Sequence, residues 1–149
     1  MPPMAEAATR TTTIAASPEA LWTIVTDFER YPEWALDVKQ AVVTARDTAG
    51  RPAEVEFRAG ALGRSAHYTL AYDYGEAPQQ LSWSLVKGDI VRAIDGFYVF
   101  TPSTTLPGGT DVVYDLAIEV VVPMPGFVKR RAEVRILNTL KELKARAEA

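Results

Sequence analysis

Between Asp37 and Val122 apolar residues recur at every second position, while on either side of that block they recur at helical spacing, and this switch of period limits the fold more than any other feature. Turn signals at Thr48–Pro52, Gly63, Gly75–Pro78, Gly88–Asp89 and Pro102–Gly109 cut the block into six segments. They are predicted as strands over Val38–Asp47, Ala53–Ala61, Arg64–Tyr74, Gln80–Lys87, Ile90–Thr101 and Thr110–Val121. The connections are too short for crossovers, so an antiparallel meander follows. In Ala53–Ala61, Val55, Phe57, Ala59 and Ala61 alternate with Glu54, Glu56 and Arg58, the pattern of a strand with one face packed.

Ahead of the block, the β-branched run Thr9–Ala16 predicts one more strand, and residues 1–8 are expected to form a flexible N-terminus. Ser17-Pro18 supplies a cap and a first-turn proline for a helix carrying Leu21, Ile24, Val25 and Phe28, with Trp22 beside them. Pro32 breaks that helix, and a second short one is predicted over Pro32–Leu36. After Pro123–Gly126 a long helix closes the chain, with Val128, Ala132, Ile136, Leu140, Leu143 and Ala147 in one apolar stripe. Such a stripe must be covered, and a curved antiparallel sheet is the only large apolar surface predicted. The expected architecture is α+β: a sheet of about seven strands, in the order β-αα-ββββββ-α, wrapped around the C-terminal helix as a single domain over residues 9–149.

Composition removes several classes of chemistry. The chain has no cysteine and a single histidine, His67, so thiolate zinc sites, cysteine nucleophiles and histidine-based iron or zinc sites are disfavoured, and no metal is expected. The first residues lack a basic stretch followed by an apolar run, and no uncharged apolar run approaches ~18 residues, so a cytoplasmic protein is expected. The net charge of −3 is uneven: residues 127–149 hold seven Lys/Arg against three Asp/Glu, leaving nine against sixteen elsewhere. An acidic body disfavours nucleic acid as a partner.

Four stretches, "SPEALWTIVTDFERYPEW", "SWSLVKGDIVRAIDGFYVF", "GTDVVYDLAIEV" and "VPMPGFVKRRAEVRILNTLKELKARAE", occur in an order and spacing that resembles the START/polyketide-cyclase (SRPBCC) superfamily and its helix-grip fold. The small bacterial cyclase/dehydrase and coenzyme Q-binding-like members are the most similar, and the likeness covers most of residues 9–147. It implies a deep cavity between sheet and long helix, entered near the two short helices. Binding or transport of a hydrophobic small molecule, a lipid, quinone or polyketide-like compound, is the function expected from it. The same fold also carries polyketide cyclase/dehydrases (aromatases) and ribosome-association toxin-like interaction proteins. No cofactor is expected.

Strand parity then selects candidate residues. Tyr68 and Tyr72 share a face with Leu70 and Tyr74, opposite His67, and phenols on a concave wall hold rings by stacking while offering hydroxyls. Trp83 is the foremost lining candidate; Trp34 and Tyr31 are placed at the mouth, and Phe57, Tyr98, Tyr114, Ile136 and Leu140 complete the ligand-binding set. On Ile90–Thr101 both faces are apolar, so Arg92 and Asp95 are candidates for polarising a ligand oxygen or shuttling a proton only if they point inward, and Gly96 suggests a bulge or bend. Tyr68, Tyr72, Arg92 and Asp95 are thus the catalytic candidates should a reaction occur. The reading leans towards a binding module, because the inward faces hold no paired carboxylates and no base–nucleophile pair. The basic cluster "VKRRAEVR" is read as a solvated helix face, with transient contact to an anionic membrane surface or to ribosomal RNA as the functional alternative.

Overall fold

In a computed structural model, which describes residues 4–61, 64–120 and 131–149, the seven predicted strands form one antiparallel sheet. β1 is Met4–Ile14, β2 Val38–Arg46, β3 Pro52–Ala61, β4 Arg64–Asp73, β5 Gln80–Gly88, β6 Val91–Pro102 and β7 Thr110–Val120. The order β1-β7-β6-β5-β4-β3-β2 is the expected meander, with the first strand closing against the last. β1 starts five residues before the expected Thr9, because residues 4–8 find ladder partners in β7, Met4 opposite Val120 and Ala8 opposite Leu116. Cross-strand hydroxyl–carboxylate bonds add to this pairing: Thr13 donates to Asp111 at 2.7 Å, and Thr9 donates to Asp115.

α1, Pro18–Thr26, begins as its sequence requires: Ser17 caps it by accepting from the Ala20 N–H at 3.1 Å, and Pro18 takes a first-turn position. The second short helix differs from the expectation. It is a 3-10 helix over Phe28–Glu33 with Pro32 inside it, so the helical turns resume directly after α1 instead of at Pro32. An Arg30 N–H to Asp27 C=O bond at 3.2 Å closes its first turn, and the tighter geometry accepts a proline that an α-helix interior would not. The Tyr31 hydroxyl donates to the Val25 carbonyl, tying the two short helices together.

α2, Arg131–Glu148, lies in the grip of the sheet, and Ile136, Leu140 and Leu143 of its stripe are buried with Ala147 packed beside them. Val128 and Ala132 of the same stripe fall outside the described side chains. The C-terminal half of α2 is tied down on both flanks. Lys144 Nζ donates to the Thr13 carbonyl at 3.2 Å, Glu148 accepts from the Ala15 N–H at 2.8 Å, and Arg146 pairs with Glu33 at 2.8 Å.

Two irregularities at one end of the sheet reset strand parity. Between β4 and β5, Thr69 opposes Lys87 while Leu70 opposes Leu85, so Val86 is an extra residue. Between β6 and β7, Val91 opposes Val120 and Ala93 opposes Glu119, so Arg92 is another. Each extra residue flips the alternation beyond it.

Candidate functional site

The concave face of the sheet, the end of the Phe28–Glu33 helix and the first turns of α2 enclose a cavity of about 100 Å³. β4 supplies one wall through Tyr68, Leu70 and Tyr72, consecutive inward positions of a period-two strand. Tyr74 continues that parity but lies beyond the cavity, with its hydroxyl on the Pro52 carbonyl at 2.7 Å and the Arg51 guanidinium 4.7 Å from its ring centre. Phe57 on β3 adds to this wall, its ring stacked 5.5 Å from Tyr68.

Trp83 forms the floor because Gly96 lies directly opposite it on β6. A Cβ at position 96 would stand 2.7 Å from the indole and 2.6 Å from the Asp115 carbonyl oxygen, so only glycine leaves the ring its place. Gly96 is therefore in register, and the bulge expected there is instead at Arg92. From Trp83 the rings run on to Tyr98 at 5.2 Å, and from Tyr98 to Tyr114 at 4.6 Å. In the other direction Tyr72 contacts Phe28 at 4.3 Å, Phe28 meets Tyr31 at 5.4 Å, and Tyr31 meets Trp34 at 4.9 Å. Tyr31 and Trp34 both line the cavity, so the kinked connection "DFERYPEW" is one of its walls.

One end of this aromatic enclosure is polar. Arg135 and Thr139, one turn apart on α2, both reach the cavity, and Arg135 Nη2 donates to the Tyr68 hydroxyl at 2.9 Å. Among the described residues no carboxylate forms an ion pair with Arg135; Asp37 and Glu142 act on it only from farther away. The Tyr68 phenol, followed by Tyr114 and Asp37, favours the guanidinium against its burial, so it keeps its charge. Burial pushes the phenols of Tyr31, Tyr72 and Tyr98 well above their usual range. Tyr114 is pushed by burial to about 12, with Arg135 and the neighbouring Thr139 and Tyr98 hydroxyls working the other way. Burial also raises the Glu142 carboxyl, partly offset by the Leu36 N–H.

The structure brings Trp34, Phe57, Tyr68, Tyr72, Trp83, Tyr98 and Tyr114 together around the cavity and leaves four other candidates outside it. Arg92 and Asp95 are exposed: the bulge at Arg92 lets Val91 and Ile94 both face inward, and Asp95, next to Ile94, falls on the outer face. Ile136 and Leu140 are buried in packing, because the apolar stripe of α2 seats into the core while the adjacent row, Arg135 and Thr139, faces the cavity. His67 is exposed on the outer face, and the bulge at Val86 turns Lys87 outward, away from the face of Leu81 and Trp83. The basic cluster divides: Lys129, Arg130 and Arg131 fall outside the described side chains, whereas Arg135, read from sequence as part of a solvated face, belongs to the cavity. Among the described residues no group of three potential metal ligands converges, and no helix is long and apolar enough to cross a membrane.

An aromatic cavity gripped between a seven-stranded meander and a C-terminal helix defines the START-like, helix-grip class of proteins. The sequence profile of the family described as polyketide cyclase / dehydrase and lipid transport matches residues 5–148, and the chain belongs to that family within the SRPBCC superfamily. A START superfamily protein from Mycobacterium smegmatis is 31% identical, with 95% of this chain and 97% of that one covered at a TM-score of 0.87. A protein from Thermus thermophilus is 22% identical over 95% of this chain and 96% of that one, with a TM-score of 0.78. The Zhui aromatase/cyclase from a Streptomyces species shares the fold at 14% identity, 97% and 94% coverage and a TM-score of 0.77. No functionally curated protein matches.

Proposed function

We propose that the protein binds or carries a hydrophobic small molecule, a lipid, quinone or polyketide-like compound, in the cavity between sheet and α2. The observation that carries this reading is the unbroken run of rings from Trp34 to Tyr114 around the cavity. Rings at such spacing present flat apolar faces to a guest, with hydroxyls at a few fixed points. Trp83 supplies the floor, so Trp83→Ala is expected to weaken binding of a fluorescent fatty acid or quinone by about tenfold, as the loss of one buried aromatic contact implies. The exposed control Glu54→Ala should change nothing. Equal titrations for wild type and Trp83→Ala, with the fold intact by circular dichroism, would remove the cavity as the binding site. Native mass spectrometry of protein purified gently from its host, with extraction of any bound species, identifies the guest.

A second reading, a cyclase/dehydrase, is favoured by the family description and by one contact, the Arg135–Tyr68 pair, which has the donors to polarise a ligand carbonyl. It predicts that Tyr68→Phe lowers turnover of a poly-β-ketone substrate while leaving its binding nearly intact. A variant that binds and turns over as wild type would eliminate Tyr68 from such a reaction.

A further inference from the structure

We propose that the cavity selects an anionic guest, an acid whose carboxylate is received by Arg135 and Tyr68 while its apolar body lies among the rings; this rests on the cavity reading above. Three observations converge. The guanidinium stands at a wall that is, apart from Thr139, aromatic and aliphatic, yet no carboxylate among the described residues pairs with it. A desolvated cation without a counterion is costly, and a guest that supplies the opposite charge removes that cost. Second, its one protein bond uses a single donor of the five that the fork carries, and Tyr68 accepts that bond, so the phenolic hydrogen is left free to be donated. Among the described residues no side-chain N or O atom sealed from open space lacks a partner, so the remaining guanidinium donors are not locked in packed core, and Arg135 itself lines the cavity. Third, Thr139 stands one turn along α2 at the same wall and extends its polar side, with its hydroxyl engaged by Tyr114. A planar fork with the Tyr68 hydroxyl beside it matches the two oxygens of a carboxylate, and the rings beyond it match a hydrocarbon. The outlying carboxyls, Asp37 and Glu142, are too distant to occupy the fork but close enough to lower its net potential, which disfavours a dianionic head such as a phosphate monoester.

The acid can be aromatic or a fatty acid, and the test separates them. Cinnamate and decanoate are each titrated calorimetrically against their neutral primary amides, with wild type, Arg135→Met and Arg135→Lys. In wild type the acid is expected to bind at least about tenfold tighter than its amide, the range for a hydrogen bond to a charged group. Arg135→Met should abolish the preference by weakening the acid far more than the amide, whose carbonyl loses only a neutral acceptor's bond. Arg135→Lys should restore part of it, since the charge remains and the fork is lost. Preference in the cinnamate pair alone assigns an aromatic acid, and in the decanoate pair alone a fatty acid. If amides and acids bind equally and Arg135→Met changes neither, the anionic guest is refuted while the cavity reading stands. If none of the four compounds binds wild type, both are refuted.

Discussion

The concave face of the sheet has two ends built from the same strands. Under α1, Ile14, Leu21, Val25, Leu81 and Val112 are completely buried, and Trp22 packs its edge against Tyr74 and Phe100. Under the first turns of α2 the strands present phenols and an indole around open space, and α2 itself adds a guanidinium. Among the described residues, none of the side chains with no exposed surface at all lines the cavity. Branched aliphatics interdigitate to close a core, whereas flat rings tilted against their neighbours leave gaps that their hydroxyls keep hospitable to polar atoms. One end of the sheet therefore serves stability, and the other keeps a cavity open.

The largest effect that tests this division is a truncation at the closed end. Leu21→Ala removes a fully buried side chain from a site with no slack, and is expected to cost about 2–5 kcal/mol by chemical denaturation. Tyr72→Phe, at the open end, deletes a hydroxyl that borders the cavity and should cost less than about 1 kcal/mol. Comparable losses for the two variants would mean that the cavity wall carries the fold as much as the closed end does.

An intermediate effect comes from pH. Tyr31, Tyr72 and Tyr98 hold their protons well above the ordinary phenol value of 10.0, and Tyr114 up to about 12. Because the folded values are raised, the native state binds more protons than the unfolded chain above pH 10. The stabilisation is complete below that pH and is lost as pH climbs through 10 towards 12. Each such phenol contributes a slope of up to about 1.4 kcal/mol per pH unit in that window. An absorbance titration should show phenolate formation delayed until the protein unfolds, with the denaturation midpoint falling steeply above pH 10. Reversible ionisation of these tyrosines near pH 10 in folded protein would show that water reaches the rings freely.

How much of this could be read from residues alone follows the same division. The strands and the stripe of α2 were legible because burial on one face imposes a period, and the strand boundaries fall within a residue or two except for the early start of β1. The aromatic wall was legible for the same reason: Tyr68, Tyr72 and Trp83 sit on strands whose parity holds as far as the bulges. Arg92 was not, since a bulge inserts one residue without any signature beyond ordinary β-branched and charged neighbours, and from there alternation reports the wrong face. Arg135 was missed for a geometric reason. It precedes Ile136 by one position, as Thr139 precedes Leu140 and Glu142 precedes Leu143, so the row flanks the stripe, and whether a flank meets solvent or cavity depends on what stands beside the helix. The spacing 135, 139, 142, 146 was visible; the Phe28–Glu33 helix and the end of β4 that it faces were not.

The smallest expected effect bears most directly on why the open end exists. Arg135→Met keeps most of the apolar stem, removes one hydrogen bond to Tyr68 and relieves the desolvation of a cation that has no carboxylate partner among the described residues. These contributions oppose one another, so the unliganded variant is expected to lie within about 1 kcal/mol of wild type, on the stabilised side if desolvation outweighs the lost bond. A clamp would behave differently: if Arg135 held α2 to β4, its removal would lower the denaturation midpoint in step with Leu21→Ala and expose the cavity to solvent dyes. Near-neutral stability combined with a lost preference for acids would mean that the charge is maintained for the guest, at a place where an apolar side chain would have packed as well.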